Sequence, residues 1–277
     1  MPKTWLITGA TSGLGLEMAQ QLLAEGHAVI ATARRPEALA ELRQRHPAHL
    51  DVVHLDLLEP DSIISAIESA FERHERVDVV VSNAGYGLFG AAEELSNAQI
   101  DQQIAANLAG SIHLIRAALP YLRKQGGGRI IQVSSEGGQI AYPGFSLYHA
   151  TKWGIEGFVE SVAQEVAPFG IDLIIAEPGP TGTNFGANLD VAEASAAYEE
   201  TPAGTVRRAI GNGSFEIKGD AARTVAAIIA AARSNAPPLR LALGSTAYSS
   251  ISQAFSARLA ALEAQQEIAA SADRQDL

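Results

Sequence analysis

Short, unbroken apolar runs alternate with longer stretches of helical period over most of this chain. Residues 5–8 (Trp-Leu-Ile-Thr) are the first run, and a helix is predicted over 14–25, with Gly26 placed to end it. A second run covers 28–33, Pro36 then opens a helix, a third run covers 51–56, and a helix is predicted over 60–74. The fourth run is 77–83. Ser96-x-x-Gln99 has capping-box spacing and opens a long helix that includes Asn107. Further runs at 129–135, 172–179 and 239–244 are interleaved with helices over 148–168 and 221–233. These runs are apolar throughout rather than alternating, so each predicts a strand buried on both faces. The repetition predicts an α/β fold: a single doubly wound domain, a mostly parallel sheet of about seven strands, and helices on both faces.

Two stretches break the rhythm. Residues 184–219 have no clean period and contain Gly186, Gly204, Gly211, Gly213 and Gly219, which predicts a mobile, substrate-binding segment with some helix. Residues 246–272 predict a C-terminal helical extension. Its stripe of Ile251, Phe255, Leu259 and Leu262 packs either on the chain's own core or on a partner. Nothing marks a domain boundary within 1–277.

The net charge of −11 argues against nucleic acid and anionic membrane surfaces, which call for clustered Lys and Arg. The chain has no cysteine, which rules out disulfides, thiolate catalysis and Cys-ligated metal, and no metal site is expected. No apolar run approaches the roughly 20 residues that a membrane helix needs. The first strand begins almost at Met1, leaving no room for a signal peptide, so a cytoplasmic location is expected.

Candidate chemistry gathers at the carboxyl ends of the strands, where doubly wound sheets hold their ligands. The first strand runs into Thr8-Gly9-Ala10-Thr11-Ser12-Gly13-Leu14-Gly15 and then a helix. Glycines there let the backbone approach a pyrophosphate, and the helix start offers free N–H groups. Gly9, Thr11, Ser12, Gly13, Leu14 and Gly15 are the candidate contacts. An NAD site usually has a carboxylate about 20 residues further on. Arg34 and Arg35 stand there instead, and a guanidinium suits the 2′-phosphate of NADP(H).

Tyr148 and Lys152 are one helical turn apart and share a face. A cation there is expected to lower the tyrosine's pKa by ~1–3 units, suiting it to proton transfer at a carbonyl or alcohol. Ser135 closes the strand before them and can donate to a substrate oxygen, with Ser134 as the fallback on the other face.

Together these segments resemble the short-chain dehydrogenase/reductase family, closest to its steroid-dehydrogenase-like branch. The first turn is similar to that family's TGxxxGxG rather than the TGxxGxxG of its sugar-nucleotide epimerases. Ser82-Asn83-Ala84-Gly85 resembles NNAG with Ser82 in place of the first Asn, and Thr151 replaces the usual Ser of YxASK. The resemblance implies an active set of Asn107, Ser135, Tyr148 and Lys152, with Asn107 holding a water in a proton relay. It implies cofactor contacts from Asn83, Ala84 and Gly85, from Tyr148 and Lys152, and from Pro178, Gly179, Thr181 and Thr183 beside the nicotinamide. Asp56 and Leu57 would line the adenine pocket, although an Asp there equally caps a turn. The implied activity is NADPH-dependent hydride transfer with a small-molecule ketone, aldehyde or secondary alcohol, in a homodimer or homotetramer. A catalytically weak NADP-binding sensor or scaffold is the alternative. Pocket walls are expected from 86–94, 140–146 and 184–219, where Tyr86, Phe89, Tyr142, Phe145 and Phe185 suggest an apolar lining.

Overall fold

A computed structural model describes residues 2–274. Seven parallel strands form one sheet: β1 (Thr4–Ile7), β2 (Ala28–Ala33), β3 (Leu50–His54), β4 (Val79–Ser82), β6 (Gly128–Val133), β7 (Ile171–Pro178) and β9 (Arg240–Leu243). Their order is β3-β2-β1-β4-β6-β7-β9, so it reverses between β1 and β4. The helices are α1 (Gly13–Ala24), α2 (Ala40–Arg45), α3 (Pro60–Arg73), α4 (Asn97–Ile104), α5 (Gly110–Lys124), α6 (Ser146–Val166), α7 (Pro202–Gly211), α8 (Ala221–Arg233), α9 (Ser245–Glu263) and α10 (Gln266–Ser271). This is the doubly wound fold that the alternation of runs and helices predicts.

Alternate strand residues feed two cores. Trp5, Ile7, Val29, Val81, Ile131 and Ile174 pack on one face against Met18 and Leu22 of α1 and Ile228 of α8. Leu6, Ile30, Val80, Ile130 and Ile175 pack on the other against Ile67 of α3, Leu114 of α5 and Val159 of α6. Burial on both faces accounts for apolar runs without alternation. Gly26 has φ +79° and closes α1, a conformation that favours glycine.

Three features add to the expectations or depart from them. The long helix through Asn107 is interrupted by a π-turn over Ala105–Ala109. A second sheet exists, of two short parallel strands, β5 (Leu88–Phe89) and β8 (Asp190–Val191). In α9, Ile251 is buried, but Phe255, Leu259 and Leu262 are 46%, 56% and 66% exposed, so most of the stripe covers none of the chain's own core. The segment that carries β8 and α7 also has pinched ends. Thr181 bridges to Gly219, and Gly182 N–H donates to Gly219 O at 2.8 Å. No helix among the described residues is long and apolar enough to cross a membrane.

Candidate active site

At the point where strand order reverses, the ends of β1 and β4 are locked together. The Thr8 hydroxyl accepts from Asn83 N–H at 2.9 Å and Ala84 N–H at 3.0 Å, and donates to Val81 O at 3.2 Å. The Asn83 amide donates back to Thr8 O at 2.9 Å. Gly9 (φ +67°) and Gly13 (φ +55°) both need the left-handed region. A β-carbon on Gly15 would collide with Gly9 O and lie 2.5 Å from Asn83 Nδ2. Ser12 caps α1 without a side-chain hydrogen bond, and the first turn holds no acid, so the helix start is open. Thr11 and Ser12 are exposed, Leu14 is partly buried, and Thr183 packs beside the turn, 3.8 Å from where a Gly13 β-carbon would stand.

Arg34 and Arg35 are exposed just past β2 and make no ion pair among the described residues. Beyond β3, the Asp56 carboxylate accepts from Leu58 N–H at 3.0 Å, which is the turn-capping alternative, and Leu57 backs onto Gly110 through its carbonyl. Pro178 ends β7, Gly179 follows, and the Thr181 hydroxyl donates to Gly179 O at 2.8 Å. The Thr183 hydroxyl accepts from Phe185 N–H at 3.2 Å.

Ser135, Tyr148 and Lys152 meet beyond β6. Ser135 Oγ accepts from Gly137 N–H at 3.1 Å, leaving its own proton free to donate. Ser134 faces the other way, donating to Glu156 at 2.5 Å. Lys152 Nζ donates to Val133 O at 3.0 Å and lies 5.6 Å from the centre of the Tyr148 ring. Burial pushes the Tyr148 phenol up to about 12, a hydrogen bond from Ser135 pulls it down, and the charge of Glu136 raises it further. Burial brings Lys152 down to about 8 while Glu156 opposes the drop. The phenol is therefore raised rather than lowered as expected, with desolvation the largest cause. Asn107, on the π-turn, has both side-chain polar atoms engaged by Tyr86: Nδ2 donates to Tyr86 O at 2.7 Å, and Oδ1 accepts from Tyr86 N–H at 3.1 Å. Gly85 passes close enough that a β-carbon would meet Asn107 Oδ1 at 3.1 Å.

Behind this centre lies a partly buried ionic cluster that sequence reasoning did not find. Arg240 donates to Glu156 at 2.6 Å, Glu177 at 2.5 Å and Glu160 at 2.8 Å. Glu156 is one turn beyond Lys152, and Glu177 directly precedes Pro178, so the cluster joins the supports of both candidate loops. Burial pushes Glu177 up to about 7, helped by the charge of Glu156 and opposed by Arg240. Helical spacing from Lys152 could have marked Glu156, but nothing in sequence pairs it with Arg240.

The geometry defines a class: a doubly wound nucleotide-binding fold with a tyrosine–lysine centre at the strand ends. The family is identified by comparison. The short chain dehydrogenase family model matches residues 3–194, and the chain belongs to that family. It is 39% identical over 249 residues to Oxidoreductase BOA17 of Botryotinia fuckeliana, covering 88% of this chain and 89% of the relative. A crystal structure of a short-chain dehydrogenase from Streptomyces avermitilis superposes with TM-score 0.92 at 37% identity, covering 99% of this chain and 100% of that one. The archaeal alcohol dehydrogenase of Thermococcus sibiricus, solved with 5-hydroxy-NADP, has TM-score 0.63 at 28% identity and covers 79% of this chain and 95% of its own.

Proposed function

We propose that this protein is an NADPH-dependent oxidoreductase that reduces a ketone or aldehyde, or oxidises a secondary alcohol in reverse. One observation carries the reading: Ser135, Tyr148 and Lys152 converge at the strand ends that also carry an open glycine turn. The turn fits a dinucleotide. Gly15 lets two backbone segments approach as no larger residue could, and the uncapped start of α1 presents unpaired N–H groups to a pyrophosphate. Arg34 and Arg35 would take a 2′-phosphate, and Pro178, Gly179, Thr181 and Thr183 would border the nicotinamide. When bound, the cofactor supplies the hydride. The complex of the archaeal relative with an NADP derivative supports this cofactor class.

The chain's own residues position the substrate and handle the proton. Ser135 donates to the carbonyl oxygen and favours the charge that develops on it. Tyr148 holds its proton throughout the neutral range, so the acid that reduction needs is always loaded. Lys152 spends one of its three donors on Val133 O and keeps two for ribose hydroxyls and for restoring the proton on the phenol. Asn107 fixes the 83–86 loop through Tyr86, so a water relay at this position uses its main chain rather than its amide.

NADPH absorbance followed over a panel of ketones and aldehydes tests the reading, with wild type beside Tyr148→Phe. The expected result is turnover by the wild type and a loss of roughly 10²–10⁴ in the variant. NADPH binding without turnover on carbonyls, or on alcohols with NADP, would favour a sensor or scaffold.

A further inference from the structure

We propose that Phe185 is the specificity-determining residue of this site, and that the substrate is an uncharged carbonyl compound with a flat, wide apolar group beside the carbonyl. The inference rests on the reductase reading above.

The candidate proton donor stands in an aromatic setting. The Phe185 ring lies 5.6 Å from that of Tyr148, tilted by 58°. Phe145 meets Tyr148 at 6.2 Å, and Phe89 meets Phe145 at 5.0 Å, both edge to face. The nearby charges have other work, Lys152 turning its two remaining donors to the cofactor ribose and the phenol. Lys152 is bonded to Val133 O, and Tyr142 donates to Glu136 at 2.5 Å. Arg207 is paired with Glu94 through Nη2 and held over the Phe89 ring, with its Nε and Nη1 buried and unpartnered. Burial keeps His149 below its ordinary pKa, favouring its neutral form. A carboxylate or phosphate on the substrate would find the under-used guanidinium of Arg207 two rings away from the phenol, and a polyol would exchange water for ring faces. A flat apolar group instead gains edge and face contacts with these rings.

Phe185 is the adjustable part of this wall. It is 40% exposed, follows Asn184 and precedes Gly186, and belongs to the segment pinched between Thr181 and Gly219. Its ring closes down because position 87 carries no side chain. A β-carbon on Gly87 would collide with Leu189 and lie 2.7 Å from Phe185 Cζ. The β5–β8 pairing limits how far the segment swings, with Asp190 N–H donating to Gly87 O at 2.9 Å. A substrate reaching Tyr148 passes under the Phe185 ring, which then lies on it.

The test is kcat/KM for acetophenone and for acetone, with NADPH, in wild type, Phe185→Ala, Phe185→Leu and Gly87→Ala. Wild type should prefer acetophenone. Phe185→Ala should cut that preference about tenfold, Phe185→Leu should keep part of it, and Gly87→Ala should reduce it by displacing the ring. A wild type that prefers acetone, a preference unmoved by Phe185→Ala, or an equal fall on both ketones overturns the proposal. The wild type separates the two levels: NADPH binding with no turnover on either ketone defeats the reductase reading itself, whereas full activity in Tyr148→Phe defeats only the role of the tyrosine.

Discussion

At the residue scale, the tyrosine–lysine pair was legible because chemistry dictates its spacing: one helical turn puts both groups on one face. Their protonation was not legible, since it depends on burial. Desolvation raises the phenol and lowers the ammonium, and no helical spacing reports it. The consequence is a pH profile. Lys152 carries its proton below about 8 and loses it above. Carbonyl reduction should therefore stay level on the acid side and decline as pH rises through that value. A reduction rate that climbs steadily through the same range would contradict the assignment of Lys152. The arginines after β2 allow a second test. Replacing Arg34 and Arg35 together by Ala should weaken NADPH binding by roughly one to two powers of ten while sparing NADH, as read by fluorescence titration. Equal losses for both nucleotides would place the arginines away from the 2′-phosphate.

At the element scale, long elements were readable and short ones were not. The strand over 28–33 and the helix over 221–233 fall within the bounds expected of them, because each has enough residues to display a period. Two-residue strands such as β5 and β8 have no period, and their partners lie about a hundred residues apart, so only the folded chain shows the pairing. The π-turn at Asn107 was hidden for a related reason: one extra residue in a helix leaves the local composition helical. The Arg240 cluster joins α6, β7 and β9 and was equally invisible. Its three carboxylates face one guanidinium, and burial, helped by the charge of Glu156 and opposed by Arg240, holds Glu177 at about 7 against an ordinary 4.5. Between those values the folded protein keeps a proton that the unfolded chain has released. Stability is therefore lost as pH rises through that window. Glu177→Gln mimics the protonated side chain, so it should raise Tm at pH 8 and leave it nearly unchanged at pH 5. An equal shift at both pH values would mean that Glu177 is charged throughout.

At the scale of the whole molecule, the fold class was legible because burial on both faces of a sheet writes itself into apolar runs. Both cores draw on the same strands: Leu6 faces one and Ile7 the other. Damage to one side must therefore reach the other through the sheet. Leu114→Ala, at a fully buried position on α5, should cost about 2–5 kcal/mol. It should lower a single thermal transition by roughly 2–4 °C for each kcal/mol without splitting it. Two separate transitions by calorimetry would show that the faces melt independently.

The pinched ends of the 182–219 excursion have an evolutionary consequence. The chain leaves the sheet and returns within one hydrogen bond of its departure, and Gly219 permits that contact, since a β-carbon there would meet Thr181 Oγ1 at 2.6 Å. Such a stretch is a cassette: it can be lengthened, shortened or exchanged between relatives while the strand ends stay in register. Turnover chemistry and substrate choice can then drift at different rates within one gene, and an engineer could graft a foreign cassette between Thr181 and Gly219 without redesigning the sheet.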